Sequence, residues 1–193
     1  MTDRPLPTKD RIIRAAATLF ASRGYASVGL AEILAEAKAP KGSLYHHFPD
    51  GKSDLALAAA TWASDGMLKL IAASFEPAES FHGGVTTLAH KLAKLFDLSD
   101  QWDGCPVSAT LFDGPPDTAF RARANHLFQG WINEVTWQAE RFGMAEPRAR
   151  EAAETLFILL EGSWQLARAR GSSDVLRALP NRIGDLDAPG ART

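Results

Sequence analysis

The stretch Ala39–Leu55, APKGSLYHHFPDGKSDL, decides how this chain is read. Pro40 suits the first position of a helix, where its missing N–H removes no bond. Pro49-Asp50-Gly51 is a turn signal. Between them lies a helix of barely two turns. Its Leu44 and Phe48 stand four residues apart and share one face, so they face inward together. The opposite side carries small or polar groups: Ala39, Pro40, Lys41, Gly42, Ser43, Tyr45 and His46. Small side chains let a backbone approach base edges and phosphates closely. Lys41 reaches a phosphate or a guanine edge, and Tyr45 and His46 can donate to phosphate. After the turn, Lys52 and the free N–H groups opening a fourth helix offer a second phosphate seat.

Working outward, the preceding residues predict two more helices. Thr8 is placed to cap the first, with Asp10 in its first turn where a carboxylate meets the helix dipole favourably. Ile12, Ile13, Ala16, Leu19 and Phe20 then recur at helical spacing, and Arg23-Gly24-Tyr25 ends the run, with Gly24 fit for a left-handed position. A short second helix turns Leu30, Ile33, Leu34 and Ala37 inward. The tight turn Ala37-Lys38-Ala39 follows. Two short helices across such a turn have the dimensions of a helix-turn-helix, whose second member is laid in a major groove.

Charge distribution agrees. The chain has 193 residues and a formal charge of −2, so as a whole it is neither polybasic nor strongly acidic. Residues 1–52 nevertheless carry eight basic side chains (Arg4, Lys9, Arg11, Arg14, Arg23, Lys38, Lys41, Lys52) against five acidic ones, while the rest carries the acidic excess. The first quarter is the part suited to a polyanion.

Downstream the pattern stays helical, with Trp62 and Leu70 on a long fourth helix, Leu92 and Phe96 on a fifth from about Val85 to Leu98, and Cys105-Pro106 opening a short one through Phe112. Long helices follow over about 119–142 and 147–170, and a last short one over 174–179. No β-alternating run is present, and a Gly-, Pro- and Arg-containing tail follows Pro180. A single cysteine excludes an intrachain disulfide and a thiolate-only metal site. The apolar runs fall short of a membrane span, and the polar first ten residues lack a signal-peptide core, so a cytoplasmic protein is expected. His46 and His47, adjacent on a helix, point about 100° apart and do not share an ion. Gly42-Ser43 lacks nucleophile-elbow spacing. No metal, cofactor or catalytic set is expected.

The Ala39–Leu55 string resembles the signature of the TetR family of transcriptional regulators, and more narrowly its LmrA/YxaF-like branch, which reads Pro-Lys-Gly-Ser-Leu-Tyr-His-His-Phe-Pro-x-Gly-Lys. LFASRGY, Leu19–Tyr25, matches the end of that family's first helix. The resemblance covers roughly residues 8–55 closely. It continues more loosely through Gly104-Cys105-Pro106-Val107 and Leu160-Glu161-Gly162. Two positions depart from the pattern: Val28 stands where Thr is usual, and Lys38 where Gly is usual, which sets a lysine where a positive φ is expected.

The resemblance implies an all-α protein. An N-terminal three-helix helix-turn-helix head, residues 1–52, would be joined to a helical ligand-binding and dimerisation body, residues 53–193. It implies DNA contacts from Lys38, Ala39, Pro40, Lys41, Gly42, Ser43, Tyr45, His46 and Lys52. All five tryptophans, Trp102 among them, and eight of ten phenylalanines fall in the body. Most belong to the core, but an aromatic-lined cavity selects hydrophobic or planar effectors. Its candidate lining, taken as inward-facing, is Trp62, Leu70, Leu92, Phe96, Cys105, Phe112, Phe128, Trp131 and Phe157. The homodimer contact expected on the last two long helices includes Leu159, Gly162, Ser163 and Leu166. The function implied is a repressor that binds a palindromic operator as a dimer and is released by a small hydrophobic or aromatic effector. A soluble helical enzyme or a small-molecule carrier with an aromatic pocket is the alternative. The enzyme lacks a recognisable catalytic set, and the carrier has no need of Lys38, Lys41 and Lys52 around a short exposed helix.

Overall fold

Apolar residues recur every three to four positions along nearly the whole chain, and the structure, a computed structural model that describes residues 6–99, 103–115 and 118–183, is helical accordingly. Arg4, Trp102 and the tail from residue 184 lie outside the described residues. Among these, the helices are α1 (Thr8–Ser27), α2 (Leu30–Glu36), α3 (Gly42–His47), α4 (Lys52–Phe75), α5 (Phe81–Leu98), α6 (Pro106–Leu111), α7 (Thr118–Arg141), α8 (Glu146–Arg170), α9 (Asp174–Arg177) and α10 (Leu179–Ile183). No strand occurs among the described residues.

Local chemistry adjusts several ends. Thr8 does not cap α1: extended backbone at Pro7 brings Thr8 into the helix, and Arg11 N donates to Pro7 O. The helical run breaks at Gly24 as expected. α2 starts behind Gly29, with no side-chain cap, and Val28 is buried. α4 begins at Lys52, one residue before Ser53, and Asp54 reaches back to accept from Asp50 N at 2.8 Å. α5 begins four residues earlier than its periodicity implies, because Ser80 caps it by accepting from Gly83 N at 3.0 Å.

The described residues fall into two packing units. One comprises the chain up to Asp65 with Gly104–Leu127; the other comprises Gly66–Asp103 with the residues from Phe128 on. In the first, α1 packs against α2, α3 and α6. Ile12, Ala16 and Phe20 of α1 are fully buried, alongside Ile33, Leu44, Leu55, Ala56, Ala59 and Val107. Gly104 N donates to Ala21 O at 2.9 Å, tying the start of α6 to the end of α1. The packing units therefore do not follow a linear cut after residue 52.

In the second unit α5 buries Phe81, Val85, Leu88, Leu92 and Phe96. Ala93 and Phe96 join Ala167, Val175 and Leu176 in one apolar cluster, against which Leu160 and Trp164 pack. Trp164 stands edge-on to Phe96, ring centroids 5.6 Å apart, and donates its indole N–H to Asp103 O at 2.9 Å. That pairing satisfies the one polar atom of a large apolar ring.

One helix departs from expectation. α4 is long and apolar enough to cross a membrane by length and composition. Leu55, Ala56, Ala59, Ala60, Ile71 and Phe75 on it are buried, whereas Trp62 is exposed.

Two helical glycines differ in surroundings. A Cβ on Gly84 would lie 2.1 Å from the buried Phe75 ring, itself packed on Phe81, whereas one on Gly66 meets nothing within 4 Å. Gly84→Ala is expected to destabilise by about 1–3 kcal/mol through overpacking. Gly66→Ala is expected to stabilise by up to about 1 kcal/mol through helix propensity. Urea-unfolding midpoints of the two variants check both signs.

Candidate nucleic-acid interface

The turn between α2 and α3 is built by backbone hydrogen bonds. Lys38 N donates to Ala35 O at 3.1 Å and Ala39 N to Leu34 O at 2.9 Å, the pair that defines a Schellman ending. Lys38 occupies its left-handed position with φ 49°. An L side chain there costs about 1–2 kcal/mol. The lysine that stands where glycine is usual is thus held in the glycine conformation.

α3 follows with its two faces separated. Leu44 and Phe48 are buried, and each contributes about 1.5–3 kcal/mol through removal from water. Pro40, Lys41, Gly42 and His46 are exposed, Ala39 and Ser43 half-exposed, and Tyr45 is 64% exposed. A Cβ on Gly42 would meet nothing within 4 Å, so the backbone itself is open to approach. Lys38 and Lys41 are exposed and make no ion pair among the described residues. Glu32 on α2 is paired with Arg23. The segment 40–48 thus has an outward face, with the Lys41 ammonium and the Tyr45 phenol on it and Lys38 just before it.

Lys52 has a different environment. It is half-buried, with its ammonium 4.2 Å from the centroid of the Tyr25 ring. Burial pushes its pKa down, and the Asp113 carboxylate opposes that shift. Lys52 therefore has an internal role beside the expected phosphate contact. Asp113 also accepts from Ala26 N at 2.8 Å. Gly24 is required next to it: its φ of 77° with ψ of 159° is essentially a glycine-only conformation, and a Cβ there would stand 2.5 Å from Asp113 Oδ2. Tyr25 continues the junction, 5.6 Å from Phe20 and 5.5 Å from Phe120 by ring centroids.

Sequence reasoning missed two residues here. Asp113 comes from a turn 87 positions after the N–H it caps. Arg11, counted only as a basic residue, donates to Ala37 O at 3.0 Å across 26 positions. Periodicity reports which face of a helix is apolar and carries no signal for such distant partners.

The expected effector lining is partly corrected. Trp62 is 43% exposed and Phe112 64% exposed, so neither faces inward. Trp62 lies under the Arg14 guanidinium at 5.6 Å instead of in a core. Leu92, Phe96, Cys105 and Trp131 are buried; Leu70, Phe128 and Phe157 are half-buried. Phe128, Trp131 and Phe157 come together, with centroids 4.9 to 6.1 Å apart. Phe96 belongs to the α5–α8–α9 core already described.

The expected dimer stripe also changes. Ser163 is only 6% exposed, whereas Ile158 is 67% exposed. Leu156, Ser163 and Ala167 recur on the inner face of α8, while Ile158, Gly162 and Leu166 lie four residues apart on the outer one. Leu159 is half-buried between them.

Comparison with known proteins agrees with this geometry. Residues 12–59 match the model of the bacterial regulatory proteins of the tetR family, and residues 82–181 match that of the C-terminal domain of LmrA/YxaF-like transcriptional regulators. The chain belongs to the TetR family. The HTH-type transcriptional regulator LmrA of Bacillus subtilis is 29% identical over 183 residues, 93% of this chain and 96% of LmrA. A TetR regulatory protein of Rhodobacter sphaeroides has a crystal structure that covers 92% of this chain and 97% of its own, with TM-score 0.79 and 25% identity. The TetR-family regulator CifR, as a cysteine mutant in complex with a 26-base-pair double-stranded operator DNA, shares the fold at TM-score 0.77 and 22% identity, covering 97% of this chain and 100% of its own.

As a TetR-family member of the LmrA/YxaF-like branch, the chain is a transcriptional regulator with a helix-turn-helix DNA-binding domain, not an enzyme. Among the described residues no group of three or more His, Cys, Asp or Glu side chains is placed to hold a metal ion.

The Asp113 contacts make a two-part prediction for this TetR head. Asp113→Asn keeps an acceptor for Ala26 N–H but removes the charge, so the Lys52 pKa should fall below its wild-type value with little loss of stability. Asp113→Ala removes both and should cost about 1 kcal/mol. Titration of Lys52 Nζ by NMR and urea midpoints separate the two effects.

Proposed function

We propose that this chain represses transcription by binding a palindromic operator as a homodimer, through the segment Lys38–His46 within residues 1–52, and that a small hydrophobic or aromatic effector bound by residues 53–193 releases it. The observation that carries this reading is the two-faced α3: Leu44 and Phe48 anchor it from inside, and Lys41 and Tyr45 stand exposed and uncommitted on the outside. CifR, of the same fold, has been crystallised on operator DNA, which favours the same use of this head. The protein acts where the chromosome lies, in the cytoplasm.

A dimer suits such an operator because two heads must be about 34–36 Å apart to meet successive major grooves. Ile158, Gly162 and Leu166 on α8 offer an exposed, mostly apolar stripe for that contact. The Phe128–Trp131–Phe157 cluster supports an aromatic or flat apolar effector, since offset and edge-on ring contacts favour such molecules. An effector that favours heads at the wrong spacing weakens operator binding, and by linkage the operator weakens effector binding by the same factor.

The reading is tested on a duplex selected from a randomised pool by the wild-type protein. Lys41→Ala should cost about 1–3 kcal/mol of binding and lower the salt slope by about one. Tyr45→Phe should cost about 1 kcal/mol, one hydrogen bond, at unchanged slope. Both should melt like wild type. Mobility shifts unchanged at physiological salt would sink the head assignment.

Ile158→Arg should yield monomers in sedimentation velocity and abolish operator binding, whereas Ser163→Ala should leave assembly intact. A dimeric Ile158→Arg protein would remove α8 from the interface.

A further inference from the structure

The turn that aims α3 is held by one side chain of α1. Arg11 donates its Nε–H to Ala37 O at 3.0 Å and an Nη2–H to Lys38 O at 3.3 Å, while Nη1 donates to Leu6 O at 3.1 Å. The Schellman bonds satisfy the carbonyls of Leu34 and Ala35 and leave those of Ala37 and Lys38, at the negative end of α2, to Arg11. A guanidinium suits that place, because its planar fork presents several donors in fixed directions. Between the two gripped carbonyls sits Lys38 with its positive φ. A conformation that an L residue avoids persists only where its surroundings over-determine it. Arg11 is half-buried and these donors are taken by main-chain oxygens.

We propose that Arg11 is a positioning residue for operator recognition: it clamps the Ala37–Ala39 turn in its left-handed form and so fixes the direction in which α3 presents Lys41 and Tyr45, without touching DNA. The inference rests on the reading of α3 as the operator-binding element. It separates two jobs at adjacent positions. Arg11 holds the turn, and Lys38 endures the strain while it offers a cation to phosphate.

The test compares wild type, Arg11→Gln, Lys38→Gly and the double variant on the duplex that wild type selects from a randomised pool, across a salt series. A cation that touches phosphate changes the slope of log affinity against log salt by about 0.9. Arg11→Gln should therefore lose affinity on the order of tenfold, the worth of a charged hydrogen bond, at unchanged slope. Lys38→Gly should lower the slope by about one contact. Glycine takes the left-handed conformation freely, so in the Lys38→Gly background the Arg11→Gln loss should largely vanish.

Amide hydrogen exchange supplies a readout that needs no DNA. In Arg11→Gln the Lys38 and Ala39 amides should exchange faster, while those of Ala16 and Phe20 should not. If Arg11→Gln fails to fold, Arg11→Lys keeps the charge but loses the fork, and should show a smaller affinity loss at the same slope. Wild-type affinity in the Arg11 variants, a slope lowered by about 0.9, or an Arg11→Gln loss undiminished in the Lys38→Gly background would each overturn the proposal. Failure of wild type to enrich any duplex would overturn the operator reading itself, and is distinct from a clamp failure because the exchange experiment still reports on the turn.

Discussion

Burial of Leu44 and Phe48 against the first-unit core is the interaction on which the interface depends. α3 is six residues long, too short to be a stable helix alone. Its persistence comes from tertiary packing, and that packing also sets which side is left for solvent. Once two side chains a turn apart are committed inward, Pro40, Lys41, Gly42 and Tyr45 have only the outward direction. The fully buried Ile12, Ala16 and Phe20 of α1 supply the surface against which this happens. Recognition chemistry in this protein is thus a by-product of a core constraint a few residues away.

The same head leans on a part of the chain that lies far from it in sequence. α6 packs on α1, Gly104 bonds to Ala21, and Asp113 accepts from Ala26. The end of α1 is therefore joined to a segment downstream of α5. Lys52, which opens α4, lies over the Tyr25 ring, and the Asp113 charge raises its pKa against the effect of burial, so the last turn of α1, the first turn of α4 and the turn after α6 act on one ammonium. Gly24 shows how closely this junction is fitted, since both its backbone angles and the space beside it exclude a side chain.

Much of the architecture was legible in advance. The helices up to α9 were readable from 3.6-residue periodicity, and the turn at Ala37–Ala39 from its length; α10, where a tail after Pro180 was expected, was not. The lysine in a glycine position appears with φ 49°, as the departure from the family pattern implied. Legibility fell off where a face had to be assigned without knowing what it packs against. Trp62 and Phe112 are large and apolar, and composition alone sends them inward; both are exposed, Trp62 beneath the Arg14 guanidinium. On α8 the choice between Ile158 and Ser163 as the outward residue depends on which stripe meets α5 and α9, and polarity points the wrong way.

The sequence by itself determined an all-helical chain, a helix-turn-helix head with a small, basic and aromatic outer face on its third helix, and membership of a family of transcriptional regulators. These follow from local spacing and residue type, which are written along the chain. Only the tertiary structure decided that Arg11 grips the recognition turn, that Asp113 secures the end of α1, and that Ser163 is internal while Ile158 is not. Each of those depends on a partner tens of residues away or on a neighbouring helix, and hydrogen-bond geometry between distant segments leaves no periodic trace in the sequence.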